Sequence, residues 1–287
     1  MILLTERLTE RPGMAIDIEF EGQARRRNWS QHPAIRWVRR GEAFLFPVGL
    51  IALWWIASAR GWLPEQILPA PAYVVATGRD MISTGELFYH AGVSLRRVVF
   101  GFAIGASLGM VLGIAIGLSR RFEDYVKPVF LAFAQIPTLG WIPLLMLLVG
   151  IEETLKIIII AKSALVPVTL NTFSGIRSVP AKYLEVGRAL RFSRWQTLRL
   201  IILPSAVPSI FTGIRYGLTH AWTSLVGVEL LASSEGLGYL LVWGRQMFWL
   251  DTVIIAMVVI GIIGFAMDRG LEASEVLIRR WKRQAED

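Results

Sequence analysis

Few residues in this sequence are of the kinds that make or break bonds. It has no cysteine, hence no thiolate nucleophile, thiolate metal site or disulfide. Its three histidines, His32, His90 and His220, lie far apart, and no metal site is expected. No Gly-Lys dipeptide occurs, so the chain lacks the loop whose backbone amides and ammonium hold a nucleotide's phosphates. What stands out is charge in unusual places. Lys162, Arg215 and Glu229 fall inside long apolar runs. There an ionised group costs at least about 2.5 kcal/mol on insertion scales and faces the bundle interior or a watery cavity. With Gln135, Thr138, Thr219, Trp222 and Thr223 they form a candidate lining for a passage through a membrane. Such a lining sets small polar groups beside proline-broken helices and binds its ligand weakly, since the ligand must also leave. Trp222 and Glu229 follow Arg215 at heptad spacing on one face. Lys162 has two readings: an attractor for an anionic ligand, or a cation that pairs with Glu229 or snorkels.

The second candidate is residues 185–204, EVGRALRFSRWQTLRLIILP, a polar stretch between two apolar runs that carries Arg188, Arg191, Arg194 and Arg199. A membrane chain keeps such a stretch in water. A short helix with an acid in its first turn and arginines after it can transmit a push as a rigid body. The alternative is a solvated basic loop that only holds orientation.

The elements that position these residues are apolar helices. Apolar residues make up 54% of the 287, with 11 Trp, and the mean hydropathy is +0.52. These values describe an integral membrane protein, and its long apolar runs, read as helices, make it all-α. Six spans are expected, at about 43–60, 98–118, 128–151, 154–173, 205–231 and 252–268, each near the length that crosses ~30 Å of hydrocarbon. Residues 1–42 read as a polar tail, 61–96 as a loop with one or two short helices, 174–204 as a polar loop, and 271–287 as an amphipathic basic tail. The first apolar run starts too late for a cleaved signal and is expected to be retained. Within the second span Gly101, Gly105, Gly109, Gly113 and Gly117 recur every fourth residue, a groove for another helix backbone inside the bundle or in a dimer. Gln135, Pro137, Gly140 and Pro143 interrupt the third, which should be broken and face inward.

The net charge of +8 does not point to nucleic acid, because the 30 Lys and Arg lie between apolar runs instead of in one basic domain. Residues 1–42, 119–127, 174–206 and 269–287 hold 22 of them, and the opposite loops, 61–97, 150–153 and 234–251, hold 4. Both termini and the 174–204 loop are therefore expected in the cytoplasm.

Glu185, Ile201, Leu203 and Pro204 fall in register with a known pattern: Glu-Ala-Ala, three residues, Gly, nine residues, Ile, one residue, Leu-Pro. It marks the inner-membrane permease subunits of binding-protein-dependent ABC importers. Val186 and Gly187 replace the alanine pair and Arg191 replaces the central glycine. The likeness extends from about 63 to 280 through LPAPAYVV, PTLGWIPLLMLLVGIEETLK, LPSAVPSIFTGIRYGL and EGLGYLL, and it resembles the nitrate, taurine and aliphatic-sulfonate branch. The resemblance implies a MetI-like permease in a bacterial inner membrane, acting as a homodimer. It also implies two ATPase subunits carrying ATP and Mg, an external substrate-binding protein, and no catalytic residue in this chain. Residues 185–191 would then touch the ATPase, and a small anion such as an alkanesulfonate, taurine or nitrate would be carried. Phthalate-like acids and pyrimidine or riboflavin precursors are alternatives.

Two other classes compete. A membrane acyl or phosphoryl transferase needs clustered acids, histidines or a nucleophile at an interface, and the scattered histidines and the lack of paired carboxylates within the spans argue against it. A stand-alone channel or secondary transporter would use Lys162, Arg215 and Glu229 as coupling residues.

Overall fold

Residue size, more than hydropathy, sets the centre of this fold. The computed structural model describes residues 33–62, 64 and 67–283, and every described element is helical. The chain forms two compact units. The first, Met1–Trp62, contributes α1 (Pro33–Ala59), whose apolar part is Leu45–Ala59. The second, Leu63–Asp287, contains the rest. Its elements are α2 (Pro71–Ser83), α3 (Glu86–Leu118), α4 (Arg120–Gln135), a 3-10 turn (Thr138–Trp141) and α5 (Ile142–Val149). They continue with α6 (Glu153–Arg177), α7 (Ala181–Ala189), α8 (Arg194–Thr197), a π-helical turn (Leu198–Ile202), α9 (Leu203–Ala232), α10 (Leu237–Gln246) and α11 (Leu250–Arg283).

The central helix is α6, packed against α3 on one side and α9 on the other. The glycines of α3 meet it in order. A side-chain carbon at Gly101 would lie 2.6 Å from Ile160, at Gly109 2.8 Å from the Leu165 carbonyl, and at Gly113 2.7 Å from the Thr169 carbonyl. At Gly117 it would lie 2.9 Å from Ile176, and at Gly105 it would strike the Ala161 backbone. Numbers rise together along both helices, so α3 and α6 run parallel. Across the other seam Gly175 faces Ser209, Gly213 faces Asn171 and Gly217 faces Val168, so α9 is antiparallel. In lipid no hydrophobic force joins helices, and this close backbone approach supplies the dispersion contacts that do. Leu155, Ile159, Ile160, Ala164 and Val168 of α6 are completely enclosed.

Because α3 and α6 are parallel, the chain between them must return to the end where α3 began. The broken pair α4–α5 makes that crossing, with a 90° bend at residues 136 and 137. Its start is fixed at the far end of α6, where Glu123 pairs with Arg177 and, at 2.9 Å, with Lys127. The Ser119 hydroxyl caps α4 by accepting the Phe122 amide. Pro143 sits in the first turn of α5, where its missing N–H has no helical partner to lose.

Several expected boundaries move. The span at 98–118 begins at Glu86, making a 33-residue helix, and most of the expected 61–96 loop is α2 and the first turns of α3. His90, Ser94 and Arg97 looked too polar for a span, but they continue the glycine stripe and are buried, while Phe88, Val99 and Phe100 face outward. The span at 128–151 is α4 plus α5, that at 154–173 is Glu153–Arg177, and that at 205–231 belongs to a helical stretch over Arg194–Ala232. The span at 252–268 extends as α11 to Arg283, so most of the 271–287 tail is helical. Of six expected spans, four described helices are long and apolar enough to cross a membrane, or five with the bent pair. The span expected at 43–60 has only the shorter apolar stretch Leu45–Ala59, within a helix that starts at Pro33. Residues 1–32 of the expected 1–42 tail lie outside the described residues.

Candidate coupling and translocation site

Residues 185–204 fold as a helix-turn-helix whose corner is fixed from both sides. Pro180 precedes α7, and Glu185, Val186 and Arg188 are exposed on it. The helix closes by two bonds: the Arg191 amide donates to the Arg188 carbonyl at 3.0 Å, and the Phe192 amide to the Gly187 carbonyl at 2.9 Å. This closure requires a left-handed residue at Arg191, and its φ is +54°. Arg191 therefore adopts the backbone that a glycine favours, although it carries a side chain. Ser193 then starts α8 with a capping box: its hydroxyl accepts the Gln196 amide at 3.2 Å, and its own amide donates to Gln196 Oε1 at 2.8 Å.

Gly187 is buried, and a side-chain carbon there would lie 2.7 Å from Ile201 Cδ1. Ile201 thus seats α7 on the base of α9. Between them lies the π turn, in which the Leu203 amide bonds the Leu198 carbonyl five residues back. Pro204 follows in the first turn of α9 and has no amide to give. Leu203 is half-buried and Pro204 exposed. The four residues in register with the pattern therefore include an exposed acid, the side chain that seats its helix, and the start of the long helix above.

The candidate lining residues separate into three places. Thr138 and Lys162 border a cavity of about 510 Å³ that also has Ser163, Tyr216 and His220 in its wall. Gln135 is exposed at the end of α4, beside the break. Arg215, Thr219 and Trp222 border a second cavity, about 830 Å³, between α9 and α11. There Arg215 makes a two-pronged ion pair with Asp268 at 2.7 and 2.8 Å. The Thr219 and Thr223 hydroxyls donate to the Arg215 and Thr219 carbonyls at 3.1 and 3.0 Å, although both residues are exposed. Trp222 is buried against Gly264.

Glu229 belongs to neither cavity and does not pair with Lys162. It is 1% exposed and lies in an ion cluster where α3 and α6 begin and α9 ends. Arg97 donates to Glu229 Oε1 at 2.7 Å, to Glu153 at 2.5 and 2.8 Å, and to the Glu235 carbonyl at 2.7 Å. Lys156 adds a bond to Glu153 at 3.0 Å, so two cations meet two carboxylates. The loop before α10 and the first turn of α10 wrap this cluster. The Gly238 amide donates to Glu229 Oε2 at 2.9 Å, the Leu237 amide to the Ser94 hydroxyl at 2.9 Å, and the Gly236 amide to His90 Nδ1 at 3.0 Å. Gly236 has φ +107°, and a side chain there would collide with the Glu229 carboxylate. A passage lining at Glu229 is thereby corrected: its oxygens are used up by protein donors, as a carboxylate buried in a bundle requires. Sequence reasoning missed Arg97, Ser94, His90 and Glu153. The signal was the spacing 90, 94, 97, 101, which carries the glycine stripe back by three turns.

The comparisons with known proteins agree with this architecture. The family described as "Binding-protein-dependent transport system inner membrane component" matches residues 105–279. The chain is 37% identical over 245 residues to the putative aliphatic sulfonates transport permease protein SsuC of Bacillus subtilis (strain 168), covering 85% of this chain and 89% of that protein. It is 35% identical over 249 residues to the protein of that description in Escherichia coli (strain K12), covering 87% and 95%. An inward-facing structure of the MetNI methionine ABC transporter is similar in fold, with a TM-score of 0.52 at 19% identity over 65% of this chain and 91% of that one. With a family match over more than half of its length and such relatives, this chain belongs to the binding-protein-dependent transport-system inner-membrane components, as a permease subunit of an ABC importer.

Proposed function

We propose that this permease imports a small sulfonate-type anion, working as a homodimer with two ATPase subunits and an external binding protein. ATP and Mg act on the ATPase subunits. Both termini and α7 face the cytoplasm, in keeping with the 22 to 4 distribution of Lys and Arg. Closure of the ATPase pair displaces α7, Ile201 passes that motion to the base of α9, and the bundle exposes its passage to one side and then the other. The substrate class follows the names of the relatives. No bond is made or broken in this chain.

The observation that carries the coupling role is the seat of α7. Its acid-bearing face is free, while the buried Gly187 seats its back on Ile201 of the π turn that leads into α9. Reconstitution with the ATPase and binding protein tests it. Glu185→Lys is expected to lower binding-protein-stimulated ATP hydrolysis and ethanesulfonate uptake by about tenfold or more, the loss of a charge-assisted contact. Unchanged rates would remove α7 from the coupling path. Uptake of nitrate but of neither taurine nor ethanesulfonate would replace the substrate.

A further inference from the structure

Resting on the reading of the chain as an importer of a sulfonate-type anion, the geometry points to an anion subsite at the break between α4 and α5. Lys162 is its charge, and Thr138, Tyr216 and His220 are its polar wall. Lys162 is 8% exposed, on the most enclosed helix of the bundle. Its ammonium donates to the Ile136 carbonyl at 2.8 Å, at the bend before Pro137. It also lies 5.0 Å from the centre of the Phe133 ring and 5.5 Å from that of Trp141.

A carbonyl and two aromatic faces are neutral partners. They fix the ammonium in place and lower the cost of its burial, but they do not cancel its charge. Among the described residues no carboxylate pairs with it, and Glu229 is engaged by Arg97. The cavity it borders, about 510 Å³, has no acidic residue in its wall. Thr138, Tyr216 and His220, which carry hydroxyl and imidazole donors, also border it, while Val166 and Leu170 offer an apolar side. A fixed positive charge, hydroxyl and imidazole donors and an apolar flank suit a short-chain organic anion. The space exceeds such an anion several times over, so water remains and binding stays weak, as passage demands. The other role for Lys162 is structural: holding the carbonyl that the break leaves without a helical partner.

The complex of permease and ATPase, with the binding protein, separates these roles. Lys162→Met is expected to assemble and keep stimulated ATP hydrolysis within about twofold while ethanesulfonate uptake falls about tenfold, and Lys162→Arg to recover most of it. Without the binding protein, ethanesulfonate at matched chloride should raise the thermal midpoint of the wild-type and Lys162→Arg complexes but not of Lys162→Met, and the neutral ethyl methyl sulfone should raise none. Thr138→Asp leaves Lys162 in place and adds a carboxylate to the wall of the same cavity, so it should lower both uptake and midpoint shift. Wild-type uptake or an undiminished midpoint shift in Lys162→Met overturns the subsite; if that variant does not assemble, an unchanged Thr138→Asp does. An importer that carries another organic anion, and loses it in Lys162→Met, would refute the sulfonate reading while keeping the subsite. A wild-type complex with no anion-dependent uptake or shift refutes both.

Discussion

Arg191 holds the sharpest local conflict between residue and backbone. It closes α7 in a left-handed conformation that costs a side-chain-bearing residue about 1 kcal/mol relative to glycine. Phe248 repeats the device at the end of α10, with φ +60°, a Trp249 amide bonded to the Gly244 carbonyl at 2.7 Å and a Phe248 amide bonded to that of Arg245. Arg191→Gly is expected to raise the thermal midpoint of the purified protein by about 2 °C. A lower midpoint would mean that the guanidinium forms contacts worth more than the strain. That Arg191 departs from the pattern is legible in the sequence; that it keeps the glycine's geometry is not, because bonds five residues back set the helix end. Lys162 shows the same division. Its burial follows from its place in an apolar run, but its partner carbonyl is 26 residues away, at a break whose angle no local pattern states.

Among the elements, α3 shows where hydropathy misleads. Polar residues at 90, 94 and 97 mark a loop if they must face water and a helix if they face one another. The choice depends on Glu153 and Glu229, which arrive on other helices. The broken third span was legible because proline and glycine act locally, whereas the start of α3 was not. The glycine ladder gives a test at this scale. Gly105→Ala should destabilise the bundle by several kcal/mol, since backbone fills that space, whereas Gly92→Ala, with nothing within 4 Å, should stabilise α3 by up to about 1 kcal/mol. Thermal inactivation of the two purified variants checks it; equal midpoints would remove the seam from the account of the core.

At the scale of the whole molecule, the second unit has two unlike ends. One holds the ion cluster and the loop that wraps it, and the other holds α7 and α8 on the base of α9. Lys and Arg counts predict from sequence alone which end faces the cytoplasm, because topology is a sum over loops that survives errors of several residues at each boundary. Fusion of alkaline phosphatase between α2 and α3 should give active, exported enzyme, and fusion between α7 and α8 should give inactive enzyme. The reverse pattern would invert the molecule.

The wiring of Arg97 also bears on how the molecule is made. Its partners lie 56 and 132 residues further along the chain. At ordinary rates of synthesis the second reaches the ribosomal tunnel roughly 7–25 s after Arg97 itself. Until Glu153 is made α3 carries an unmatched guanidinium at its buried face, and until Glu229 follows one nitrogen of that guanidinium lacks its carboxylate. The charge that locks the finished bundle thus acquires its partners one after the other, first from α6 and then from α9.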